Sequence, residues 1–191
     1  MVDVYLLHPA PNPKKNVEEG IGWRLSWLFL HSSVSGLSRS KICCPRSPSC
    51  CCSRRKTLPK ELSNKIEFMP HDFFTEQPVK HADVYFFLWI FHNWSDKYCT
   101  QILRNLIPAL KNGARIVIND NVLPEPGVLP IWREEKLISI DLTMLELGNA
   151  KERDLDGWAK LFVEAESRFR FIGGKPPVGS SLWILEPIWE G

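Results

Sequence analysis

Apolar and polar positions along this chain fall into two regimes that meet near Lys56. From there to the C-terminus the pattern is regular. "ADVYFFLWIF" (82–91) is a continuous apolar run bounded by polar residues, as expected of a strand buried in a parallel sheet. Ser95 follows as an N-cap, with acidic Asp96 in the first turn. "KYCTQILRNLIPALK" (97–111) then places Ile102, Leu103, Leu106 and Leu110 at helical spacing, and Asn112-Gly113 ends the helix. "ARIVIND" (114–120) reads as the next strand. Helices are predicted over 132–147 and 155–165, and the strands "FRFIGG" and "SLWILEPIWE" close the chain. Strand–helix alternation ending in a strand pair predicts an α/β fold, a doubly wound sheet with a C-terminal antiparallel pair.

Residues 5–55 keep neither period 2 nor period 3.6. Proline, serine, cysteine and arginine dominate, and the plain expectation is an irregular or disordered segment. The chain thus divides into 1–55 and 56–191, and the sheet is expected to be incomplete.

Composition narrows the functional classes. The 191 residues suffice for one domain with a core, and a net charge of +2 gives no electrostatic case for nucleic acid or anionic lipid. "IGWRLSWLFLHSSVSGL" is broken by Arg24 and His31 and makes a poor membrane span. The opening "MVDVYLLHPAPNPKK" has no basic start ahead of an apolar block, so a secretory signal is not expected and the cytoplasm is the default. Cys43, Cys44, Cys50, Cys51 and Cys52 crowd together while Cys99 stands alone. A metal site would want a second convergent pair or histidines, and no ligand set for a metal is evident.

Three polar residues end predicted elements: His92 after the first strong strand, Asp120 at the end of "RIVIND", and Glu152 in "NAKERD". Sites in open α/β sheets lie at the carboxyl ends of the strands, which brings His92 and Asp120 to one rim. A histidine flanked by two carboxylates suits general-base work, because the carboxylates orient the ring and stabilise its protonated form. Singly, each has a plainer reading: a hydrogen-bonded histidine, a turn aspartate, a solvated glutamate.

"ADVYFFLWIFHNWSDKYCTQILRNLIPALKNGARIVINDNVLPEPG" and "IDLTMLELGNAKERDLDGWAKLFVEA" resemble the caffeate and flavonoid type of S-adenosylmethionine-dependent O-methyltransferase, over about two-thirds of the chain. The HxWSDxxC and KER elements, in order and correctly spaced, carry the likeness. It implies that His92 is the catalytic base and that Asp120 and Glu152 frame it. Met144 would fall in the acceptor pocket. Asp72 and Phe73 of "PHDFF" would lie near the adenosine of S-adenosylmethionine, and Trp94 near its adenine. The acceptor implied is a phenolic or polyketide-like secondary metabolite. Such enzymes are usually homodimeric, through an N-terminal domain that this sequence is expected to lack. A phenol has a pKa near 10 and a histidine near 6.5, so full proton transfer in water would cost about 5 kcal/mol. A sulfonium beside the nascent phenolate recovers much of that, the framing carboxylates favour imidazolium, and methyl transfer then needs little beyond in-line positioning.

Two departures stand out. Four positions before the histidine the family usually carries a basic residue that pairs with the cofactor's carboxylate; here it is Leu88. Upstream, the family's V-D-V-G-G-x-x-G strand and loop and its later D-L-P are missing after "MVDV". Read one base later, Trp23 and Trp27 become glycine, Arg24 can become glycine and Leu25 serine, giving G-G-S-x-G. Cys43 to Pro48 can likewise spell V-V-Q-D-L-P. Residues 5–22 then read as translated intron, and 23 to about 52 as a mis-framed cofactor segment. Two rivals to an active enzyme stay open: a catalytically inactive remnant lacking the glycine loop, and a cysteine-rich metal module.

Overall fold

The computed structural model describes residues 3–7, 39–44 and 66–191. Seven strands form one sheet: β1 (Asp3–Leu7), β2 (Arg39–Cys44), β3 (Ile66–Pro70), β4 (Val84–Leu88), β5 (Arg115–Asp120), β6 (Phe169–Lys175) and β7 (Trp183–Trp189), in the order β3-β2-β1-β4-β5-β7-β6. Neighbours from β3 through to β5 are parallel, whereas β7 runs antiparallel to both β5 and β6. This is the doubly wound sheet with a terminal antiparallel pair that the alternation predicts. Strand order reverses between β1 and β4, which makes their carboxyl ends the switch point where such sheets bind ligands.

The expectation of an incomplete sheet is amended in one respect: the segment 1–55 supplies β1 and β2. A central parallel strand needs only a few residues paired through their backbones on both sides, too short a run for period counting to register. The cysteine cluster enters β2 at Cys43 and Cys44, while Cys50, Cys51 and Cys52 lie outside the described residues. The positions expected to hold a mis-framed glycine loop, 23–27, and its D-L-P, 46–48, also lie outside the described residues.

Helix α1 (Asp96–Leu106) buries Cys99, Ile102, Leu103 and Leu106 in one core cluster with Tyr85 and Phe87 of β4 and Ile116 and Ile118 of β5. It ends before the predicted 111 because Pro108 has no N–H to continue the ladder, and Ile107–Ala109 tightens into a 3-10 turn. Helix α2 (Ile131–Gly148) buries no residue, and α3 (Leu155–Ala165) buries Trp158, Leu161, Phe162 and Ala165 beside α1 and β6. Among the described residues no helix is long and apolar enough to cross a membrane.

Candidate active site

The site is assembled where β4 and β5 end. Beyond Leu88 the backbone turns through Trp89, whose φ of 53° is left-handed, and enters a single 3-10 turn, Phe91–Asn93, that carries His92. Asp120, the last residue of β5, is fully buried beside it. One of its oxygens, Oδ2, accepts the Phe91 N–H at 3.1 Å and the His92 N–H at 3.3 Å, and Oδ1 accepts the Asn121 N–H at 3.0 Å. Asp120 therefore holds the backbone of the turn, rather than the imidazole as the sequence led us to expect.

Glu152 reaches the ring instead. Helix α2 is closed by Asn149, left-handed at φ 49°, whose N–H donates to the Leu145 carbonyl at 3.0 Å in an αL closure, and the Ala150 N–H returns to the Met144 carbonyl at 3.2 Å. That reversal sends Lys151, Glu152 and Arg153 back toward the rim. The Glu152 N–H is fixed by Asp141 Oδ1 of α2 at 2.7 Å. Its Oε1 lies 3.2 Å from His92 Nδ1 and accepts Asn121 Nδ2 at 3.0 Å. A carboxylate facing Nδ1 assigns the proton to that nitrogen and leaves Nε2 with its lone pair.

Burial alone would lower the pKa of His92, but the hydrogen bond to Glu152 and the charges of Asp120 and Glu152 outweigh it, and the pKa lies above the ordinary 6.5. Burial pushes Asp120 up to about 6, against the pull of His92. The indole of Trp89 stacks on the imidazole, 5.4 Å between centroids and 10° between planes.

Ligand atoms of His92, Asp120 and Glu152 lie within 4.8 Å of one another, close enough to reach one ion. Both Asp120 oxygens and Glu152 Oε1 already accept N–H groups, so in this structure the three form a hydrogen-bonded triad. Asn121 and Asp141 were missed by sequence reasoning. Asn121 could have been suspected as the polar residue following Asp120; Asp141 looks like any charge on a helix.

The other predicted residues lie apart from the triad. Asp72 is exposed and accepts the Phe74 N–H at 3.0 Å in a local turn. Phe73 meets Trp94 edge-on at 6.0 Å, and Phe74 and Tyr98 join the same aromatic group. A shallow depression beside them is lined by His71, Phe73, Gln77, Phe87 and Asn105. Met144 is half-buried on α2, one turn before the helix end that abuts the His92 turn at Asn93.

The family model of the O-methyltransferase domain matches residues 46–168. Among curated relatives, the grayanic acid biosynthesis cluster O-methyltransferase of Cladonia grayi is 47% identical over 136 residues, 71% of this chain and 30% of that protein. The chlorophenol O-methyltransferase of Trichoderma longibrachiatum is 46% identical over 131 residues, 69% of this chain and 28% of that one. The chain thus spans under a third of the length of these relatives. Among solved structures, the mitomycin 7-O-methyltransferase MmcR superposes with a TM-score of 0.73 at 23% identity, over 98% of this chain and 49% of that one. The complex of LepI with SAM gives 0.74 at 24%, over 100% and 43%. A further neighbour at 0.74 and 24%, covering 100% of this chain and 43% of that one, is described as a pericyclic reaction enzyme. At these identities the likeness to solved structures establishes the fold, and chemistry has to be argued from the site.

Proposed function

The chain belongs to the O-methyltransferase domain family, and on that premise we propose that it moves a methyl group from S-adenosylmethionine to a phenolic hydroxyl of a small secondary metabolite, with His92 as general base. One observation carries the reading: the imidazole's Nδ1 is tied to buried Glu152, a tie that would leave the lone pair of Nε2 for an acceptor. The same tie makes the ring a better proton acceptor, because the positive charge it gains sits against two carboxylates. A raised base pKa narrows the gap to a phenol, each unit being worth about 1.4 kcal/mol.

The described residues fit the aromatic half of the cofactor. Phe73, Phe74, Trp94 and Tyr98 form an apolar, π-rich group at the carboxyl edge of the sheet, suited to the face of a purine. Leu88 offers no charge to a carboxylate. When bound, S-adenosylmethionine would supply the electrophilic methyl group. His92 would accept the phenolic proton at Nε2, Glu152 would keep the ring in one tautomer, and Met144 on α2 would border the acceptor. The name of the chlorophenol relative favours a phenolic acceptor, and that of the grayanic acid cluster relative a biosynthetic role.

The inactive-remnant reading is favoured by a specific observation: the sequence between β1 and β2 lacks the family's glycine loop. A mis-framed cofactor segment would reconcile the two readings. In its support, β1 begins at Asp3 of "MVDV", where the family's cofactor strand reads V-D-V, and β2 ends at Cys44, where the shifted frame reads V-V before Q-D-L-P. Calorimetric titration with S-adenosylhomocysteine decides. Micromolar binding by the chain as written supports the enzyme. Absent binding that returns when 23–52 are rewritten in the shifted frame supports the remnant, and a spliced transcript encoding the cysteines unchanged would sink the frame shift.

A further inference from the structure

We propose that Arg153 is the positioning residue of this site: its guanidinium, anchored by Asp96, closes the carbonyl end of the turn that carries His92 and so fixes the imidazole against Glu152. The inference rests on reading His92 as the base, but its test needs no turnover.

A buried guanidinium demands an explanation, since taking a charge out of water is costly unless its donors are satisfied. The Arg153 side chain is 1% exposed. Its donors are spoken for. Nε and one terminal nitrogen reach Asp96 Oδ1 at 2.9 and 2.8 Å. That terminal nitrogen also donates to the Trp94 carbonyl at 2.9 Å, and the other donates to the Phe91 carbonyl at 3.2 Å and the Lys151 carbonyl at 3.3 Å. Trp158 lies against the guanidinium plane, 5.4 Å from ring centre to Cζ.

The two carbonyls from Phe91 and Trp94 bracket His92. Cys99 Sγ reaches the same pair, each at 3.3 Å, and burial pushes its thiol up to about 12, so it stays a donor. The turn is therefore gripped at both ends, with its N–H groups on the Asp120 carboxylate and its C=O groups on the Arg153 guanidinium. These are the signs a helical turn's dipole favours. Because Arg153 adjoins Glu152, one dipeptide holds both the ring and the backbone that presents it. Asp96 and Cys99, three apart on α1 and so on one face, both meet the arginine of KER. Of the charged groups around His92, Glu152 and Asp120 raise its pKa and Arg153 lowers it.

The experiment is two-dimensional NMR of the ring nitrogens in the chain labelled with nitrogen-15 histidine. In the parent, His92 is expected in one tautomer with a downfield Nδ1–H. Arg153→Met should lose that single-tautomer pattern, Arg153→Lys should keep part of it, and the peaks of His71 and His81 should stay in place. A folded Arg153→Met chain with unchanged His92 peaks would overturn the proposal. So would a loss shared equally by His71 and His81, which would mean general loosening. If Arg153→Met does not fold, Asp96→Asn decides: weakening of the His92 pattern supports the clamp and an unchanged pattern refutes it.

Discussion

Asp120 and Glu152 are both buried carboxylates within reach of His92, yet they hold different parts of it, and substitution should separate them. Asp120→Asn keeps an oxygen for the backbone N–H groups, whereas Asp120→Ala leaves buried donors unpaired at a cost of about 1–3 kcal/mol. Urea unfolding should show a small loss for the first and the larger loss for the second, while NMR titration shows His92 dropping in pKa in both; equal losses of stability would deny the turn-holding role. For catalysis the base must be neutral, so activity should rise with pH through the raised pKa of His92. His92→Gln should cost about 10²–10⁴-fold in kcat. Glu152→Gln should lower the rate and move the acid limb to lower pH, since burial is then opposed by Asp120 alone; an unmoved limb would assign it to another group. The stability linkage has the opposite sense. A group raised in the folded state stabilises most below its unfolded pKa, and that contribution fades as pH climbs through the folded value. His92 and Asp120 were legible because each ends an apolar run, where a polar side chain needs a reason, and Glu152 through the KER element. Arg153 and Asp141 were not: in sequence they are charges among charges, and only burial distinguishes them.

At the scale of elements, the hinge of the site is the reversal after α2. Asn149 sits at φ 49°, where a β-branched side chain pays about 1–2 kcal/mol and glycine none. Asn149→Gly should leave the thermal transition within a degree or two, and Asn149→Val should lower stability by about that amount and also disturb the His92–Glu152 pair. A Val variant with the parent's NMR pattern would show that the reversal does not deliver Glu152. Helices were read well where capping and period agree: α3 was predicted at 155–165, and Asp154 caps it through the Gly157 N–H at 2.7 Å. Ser95 takes the N-cap position of α1, but its hydroxyl makes no capping bond, and the neighbouring Asp96 is turned to Arg153. Propensity names the position; the tertiary ion pair decides what the side chains do there.

For the molecule as a whole, the alternation of strands and helices was sufficient for the fold class, while β1 and β2 were beyond it because five- or six-residue parallel strands carry little period of their own. The same reading predicted α2 without revealing how it lies. Ile131, Ile138, Leu142 and Leu145 recur at intervals of seven, four and three, one stripe of the helix, and every one of them is exposed. Trp132 and Leu147 are exposed beside them. Burying such side chains is worth about 1.5–3 kcal/mol each relative to water, so an apolar stripe of this length favours contact with any other apolar surface. The chain as written should therefore self-associate, with light scattering rising with concentration and falling when Leu142→Glu and Leu145→Lys are combined. Both side chains are exposed, so the His92 ring pattern should survive the double change. A parent that stays monomeric at every concentration would show that the stripe drives no association, and a double variant that scatters as strongly would place the contact elsewhere.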